Sequence, residues 1–191
     1  MTHHPTKHPW LKPLKFLALI MAFGGCGPDA DEKVDDSKKS STDDSGTPTF
    51  RIMILGDSLT EGYGVPEEET YPTLLEKKLN HLLGPKTKFD YEVINGGISG
   101  ATTSGGVSRI EWFLRAKPDY LLVALGGNDG LRGIPVSEIS KNIGIILSAA
   151  KQNKIPVMLA GMKLPPNYGE TYATSFTGAF DKLAKDHAVP Y

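Results

Sequence analysis

Between Phe50 and Tyr191, short apolar runs alternate with longer stretches whose apolar residues recur every three or four positions. The runs Phe50 to Leu55, Tyr91 to Ile94, Tyr120 to Leu125 and Pro156 to Ala160 are rich in Ile, Val and Leu and read as strands. Between them, Tyr71 to Leu83 places Leu74, Leu75, Leu79, Leu82 and Leu83 on one helical face. Val107 to Arg115 and Val136 to Lys151 are similar, and Thr171 to His187 follows the fourth strand. Gly84-Pro85, Lys117-Pro118 and Ile155-Pro156 punctuate the junctions as helix stops. Strands alternating with helices predict an α/β fold, a parallel sheet with helices on both faces.

Upstream of Phe50 the pattern changes. The first fifteen residues carry Lys7, Lys12 and Lys15 and no acid, and Phe16 to Phe23 is unbroken apolar sequence, the layout of a secretory signal peptide. The run is far shorter than the roughly 20 apolar residues of a spanning helix. Gly24, Gly25 and Cys26 follow, and Cys26 is the only cysteine of the chain. Small residues before a lone cysteine at this place resemble the bacterial lipobox. That resemblance implies lipidation of Cys26 and an anchor in an envelope membrane facing the periplasm; the alternative is a soluble secreted or periplasmic protein cut near Gly27. Residues 27–48 hold Val34 as their only large aliphatic side chain and are expected to be a disordered polar tether. The expected organisation is thus a signal peptide over 1–26, the tether over 27–48 and one domain over 49–191. A balance of 21 Lys and Arg against 22 Asp and Glu gives no reason to expect nucleic acid as a partner.

The first strand ends in Gly56-Asp57-Ser58-Leu59, so Ser58 falls on a turn at the carboxyl edge of the sheet, where open α/β sheets bind ligands. Ser58 is therefore a candidate nucleophile; the plainer reading is a helix cap. Two more polar loops follow strands, Asn95 to Thr103 and Gly126 to Gly133. Three such loops at one edge suit acyl transfer. Attack of a serine on an ester or thioester carbonyl creates an oxyanion that needs donors already in place. The backbone N–H groups of Ser58 and Gly100 and the amide of Asn128 would supply three. Gly100 as an ordinary turn glycine and Asn128 as an Asx turn are the plainer alternatives.

Gly56-Asp57-Ser58-Leu59, Gly100 and Gly127-Asn128-Asp129 resemble the first three blocks of the SGNH (GDSL) hydrolase family. Asn95 to Thr103, Gly126 to Gly133 and Leu164-Pro165-Pro166-Asn167-Tyr168-Gly169 are similar to its thioesterase I, lysophospholipase and arylesterase branch. The resemblance implies a flavodoxin-like three-layer α/β/α fold with a mostly parallel sheet. It implies Ser58 as nucleophile, with Ser58, Gly100 and Asn128 forming the oxyanion hole. Asp129, Leu164, Pro165, Asn167 and Tyr168 are expected to bind substrate, a small acyl ester or thioester. Neither cofactor nor metal is expected, and the chain is expected to be a monomer.

The family takes its general base from a late Asp-x-x-His block, which is absent here. Asp186 and His187 are adjacent, and neighbours on a helix point to different faces. The domain is therefore expected to be incomplete at its C-terminus. The last strand and closing helix would be missing, the fourth strand would be an exposed edge, and hydrolysis would be reduced. The alternative function is a catalytically inactive envelope protein that binds acyl groups. Gly96-Gly97-Ile98-Ser99-Gly100 spells no phosphate-loop motif and lacks its lysine, which weakens a nucleotide-binding reading.

Overall fold

Four runs of aliphatic residues pair in parallel in a computed structural model of the chain, which describes residues 46–191. The strands are β1 (Thr49–Gly56), β2 (Asp90–Gly97), β3 (Tyr120–Ala124) and β4 (Val157–Leu159), in the order β2-β1-β3-β4. The helices are α1 (Ser58–Glu61), α2 (Tyr71–Leu82), α3 (Thr103–Arg115), α4 (Gly127–Leu131), α5 (Val136–Gln152) and α6 (Glu170–His187). Parallel strands need a crossover, and helices supply each return between consecutive strands. Residues 46–191 lie within one compact unit. The signal peptide, Cys26 and residues 27–45 of the expected tether lie outside the described residues.

Because side chains alternate across a strand, Met53, Leu55, Leu121, Val123, Val157 and Leu159 share one sheet face. They are buried in one core with α3, α5 and α6, where the rings of Phe176 and Phe180 meet edge to face at 5.1 Å. In register, Gly56 stands beside Gly97 on one side and Ala124 on the other. The three strands therefore end level with one another, and their following loops start from a common line.

The outer margin of β2 is closed by side chains of α2. The Asn80 amide donates to Tyr91 O and accepts from Tyr91 N, both at 2.8 Å, and Glu76 accepts from Val93 N at 2.8 Å. A carboxamide thus pairs with the strand much as a neighbouring peptide would. At the other margin, Leu159 N donates to Pro190 O at 3.0 Å, so residues after α6 partly cover the edge expected to be bare. Met158 remains 38% exposed there.

Three boundaries differ from the sequence expectation. β2 continues through Asn95, Gly96 and Gly97, where a loop was expected; Asn95 Oδ1 accepts from Gly97 N at 2.9 Å. α3 starts at Thr103 rather than Val107, because the Thr102 hydroxyl caps it by accepting from Gly105 N. The loop after β3 contains the short helix α4.

Candidate active site

The turn after β1 is built by its own residues. Asp57 caps α1, its Oδ1 accepting from Leu59 N at 3.0 Å, and is only 5% exposed. Ser58 is the first residue of α1, where a backbone N–H has no intrahelical acceptor. Its side chain is half-buried, and its hydroxyl has no hydrogen-bond partner among the described residues. Beneath it, a Cβ on Gly56 would lie 1.9 Å from Thr60 Oγ1, so glycine is required for α1 to fold back this closely. Thr60 and the Tyr71 hydroxyl are hydrogen-bonded at 2.7 Å. Burial pushes the Tyr71 phenol up; the bond to Thr60 opposes that shift, and the negative charge of Asp57 adds to it.

The turn after β2 leans on the first. Ile98 N donates to Gly56 O at 3.3 Å, and Ala101 N donates to Ile98 O at 3.0 Å, closing a turn through Ser99 and Gly100. Gly100 takes φ +73°, which favours glycine, and its N–H has no acceptor among the described residues. The Ser99 hydroxyl donates to Glu61, and Arg132 Nη2 donates to Gly100 O at 3.2 Å. α1 packs directly on the end of β2, where a Cβ on Gly97 would sit 2.1 Å from Glu61 N.

The turn after β3 joins the other two. Asn128, on α4, donates through Nδ2 to Ala101 O at 3.0 Å and makes a longer contact with Asp57 Oδ2 at 3.5 Å. One amide therefore bridges the residue before Ser58 and the residue after Gly100. Asp129 departs from its expected place at the substrate surface. It is 2% exposed, and its oxygens accept from Thr103 N at 2.9 Å and Thr103 Oγ1 at 2.6 Å. The physical reason is its position in α4, which turns the carboxylate toward the capped start of α3. Asn142 adds a third bond to this cluster by donating to Thr103 Oγ1 at 3.1 Å.

After β4, Leu164 packs against α4, its Cδ2 lying 2.6 Å from where a Cβ on Gly130 would stand. Pro165 and Asn167 are exposed and Tyr168 is half-buried in a 3-10 turn over Pro166–Tyr168. Sequence reasoning passed over Met162, whose sulfur lies 3.3 Å from a Cβ placed on Gly127, and Arg132. Arg132 had a signal, being the one charged side chain between Asp129 and Val136. Tyr172 ties α6 to the same loop, donating to Ile134 O at 2.6 Å. Burial raises its phenol, and the charge of Asp129 adds to the effect.

Two histidines fall among the described residues. His81 is exposed in the last turn of α2. His187 ends α6, beside Gly144 of α5, in a depression that includes Tyr120 and Val157 from the starts of β3 and β4. Both helices run against the strands, so both imidazoles stand at the amino edge of the sheet. Ser58 is at the carboxyl edge.

A model of the GDSL-like Lipase/Acylhydrolase family matches residues 54–191. The chain is 39% identical over 141 residues to an arylesterase of Vibrio mimicus, covering 73% of this chain and 68% of that one. It is 37% identical over 140 residues to thioesterase 1/protease 1/lysophospholipase L1 of Escherichia coli K12, covering 73% of this chain and 64% of that one. Among solved structures, AlinE4, an SGNH-hydrolase family esterase, superposes with a TM-score of 0.69 at 38% identity over 74% of each chain.

Proposed function

Since the chain belongs to the GDSL-like lipase/acylhydrolase family, we propose that it hydrolyses small acyl esters or thioesters through an acyl-serine intermediate on Ser58. In this reading Ser58 Oγ attacks the acyl carbon and the alcohol or thiol departs. Water then releases the acid and restores the hydroxyl. The oxyanion formed in both steps is held by the N–H groups of Ser58 and Gly100 and by Asn128. Asn128 donates by exchanging its long 3.5 Å contact with Asp57 while keeping the 3.0 Å bond to Ala101. Leu164, Pro165, Asn167 and Tyr168 border the acyl group, and Asp129 acts only through Thr103. The observation that carries the reading is the Asn128 amide, which links the Ser58 turn to the Gly100 turn.

The serine proton must pass to a base. His81 and His187, at the far edge, are not that base in this arrangement. This separation favours a second reading, an acyl-binding protein that does not turn substrate over. One comparison decides between them. Wild type and Ser58→Ala are assayed on a p-nitrophenyl ester and an acyl thioester, and Ser58 is probed for a phosphonate adduct by intact mass. A related esterase of Pseudoalteromonas sp., 33% identical to this chain, was solved inhibited by monoethylphosphonate. Turnover and an adduct, both lost in Ser58→Ala, support the hydrolase. Neither in wild type, with acyl ligand still bound, overturns it in favour of the second reading.

We further propose an envelope location, on the lysines, apolar run and Cys26 of the leader. Incorporation of labelled palmitate that disappears in Cys26→Ser tests it.

A further inference from the structure

The Ile98–Ala101 turn carries the Gly100 N–H, which has no acceptor among the described residues, yet its own backbone closes it with a single bond, from Ala101 N to Ile98 O. A glycine at the centre of such a turn is soft about two dihedrals. Side chains from outside the turn supply the stiffness. Asn128 holds Ala101 O, and its role in the oxyanion reading is already assigned. Two further grips have no role in that reading. Arg132 Nη2 donates to Gly100 O at 3.2 Å, which fixes the peptide after Gly100. Glu61 accepts from the Ser99 hydroxyl, which fixes the residue before it. The two come from different elements. Glu61 closes α1, and Arg132 is the C-cap of α4, its own N–H bonded to Asn128 O at 3.2 Å.

The geometry points to Arg132 and Glu61 as positioning residues that bracket Gly100 between α1 and α4 and hold its N–H ready for the oxyanion. Neither touches the reacting atoms. Both are exposed, and bonds between exposed groups contribute little to global stability. Their effect is therefore on the placement of a donor. A misplacement on the order of 1 Å can cost about a hundredfold in rate.

This inference rests on the acyl-serine reading, and its test separates the two. Steady-state kinetics on a p-nitrophenyl ester are measured for wild type, Arg132→Ala, Glu61→Ala and Glu61→Gln, with melting temperature and amide exchange of Ala101 recorded in parallel. For Arg132→Ala, kcat is expected to fall about tenfold to a hundredfold with KM held within about twofold. The melting temperature should be unchanged and Ala101 exchange faster. Added guanidinium, kept below denaturing concentration, should restore part of kcat. Glu61→Ala should behave likewise, and Glu61→Gln, which keeps an acceptor, should recover most of the rate. Unchanged kcat in Arg132→Ala overturns the inference, as does a loss matched by a lower melting temperature without guanidinium rescue. If wild type itself does not turn over, the acyl-serine reading has failed, and Ala101 exchange alone then decides: no acceleration in Arg132→Ala overturns the bracket.

Discussion

Asp129 and Thr103 hold each other at two points, Oδ2 to the backbone N at 2.9 Å and Oδ1 to the side-chain hydroxyl at 2.6 Å, in a place almost closed to water. This pair locks the start of α3 to α4, and so locks the Gly100 turn, which lies just ahead of α3, to Asn128. Replacing Asp129 with Ala strands two buried donors, each costing about 1 to 3 kcal/mol. Asp129→Ala is expected to lose about 3 kcal/mol in urea denaturation, and Thr103→Val about 1 kcal/mol. Equal, small losses for both would sink the idea that the carboxylate is the hub.

Asn128→Ala is expected to lower kcat on an ester about a hundredfold to a thousandfold, the usual loss for one oxyanion donor. Stability should fall by only about 1 kcal/mol, one half-buried hydrogen bond to Ala101 O. Parallel kinetics and thermal melts read the two effects separately.

The two glycines at the end of β2 and the start of α3 should behave oppositely. A Cβ on Gly97 would meet the backbone of α1 at 2.1 Å, whereas on Gly105 its nearest neighbour is Thr102 Oγ1 at 3.9 Å. Gly97→Ala is expected to cost about 2 kcal/mol or more and to displace Ser58 with α1. Gly105→Ala, inside a helix with room for the methyl, is expected to gain about 0.5 to 1 kcal/mol. Chemical denaturation of the two variants provides the check.

Much of this arrangement was legible in the sequence where burial writes a periodic signal, and little of it where backbone contacts do. The four strands and the helices α2, α3 and α5 announced themselves through Ile, Val and Leu spacing, and α6 through its place after the fourth strand. α1 and α4 did not, because four and five residues are too few for a period of 3.6. The extension of β2 through Asn95-Gly96-Gly97 carried no apolar signal either. Those glycines are strand residues because Phe113 and α1 approach them closely, a fact of packing rather than of propensity. Ser58, Gly100 and Asn128 were singled out from motif and loop position, and the structure sets their three turns side by side. Asp129 was misplaced because a carboxylate in a polar loop looks the same whether it faces substrate or a buried threonine.

α3, α5 and α6 are each followed by a residue other than glycine in the left-handed region, Lys117 at φ 50°, Lys154 at φ 58° and Ala188 at φ 51°. Glycine is the residue this position favours. Lys117→Gly and Lys154→Gly are each expected to stabilise the domain by about 0.5 kcal/mol, relief of the left-handed strain partly offset by the entropy of the unfolded glycine. A lower denaturation midpoint for both would count against that balance.

The raised phenol of Tyr71 sets an alkaline limit. Below its ordinary value near pH 10 the group is neutral in both folded and unfolded chains and stability is flat with pH. Above it, the unfolded chain releases the proton while the folded one retains it, so stability falls as pH rises toward the folded value. Tyr71→Phe should remove this contribution and flatten the unfolding curve between roughly pH 9 and 11. An unaltered curve would show that the phenol ionises alike in both states.

The carboxamide of Asn80 and the carboxylate of Glu76, set against Tyr91 and Val93, give the sheet a handed growth rule. Three of the outward donors and acceptors of β2, Tyr91 N, Tyr91 O and Val93 N, are spoken for by side chains that cannot themselves be extended. An additional strand is therefore expected to add beyond β4, where Leu159 N already donates to Pro190 O. Fibril-type association is expected to proceed from that flank, and losing Asn80 and Glu76 together to open the other.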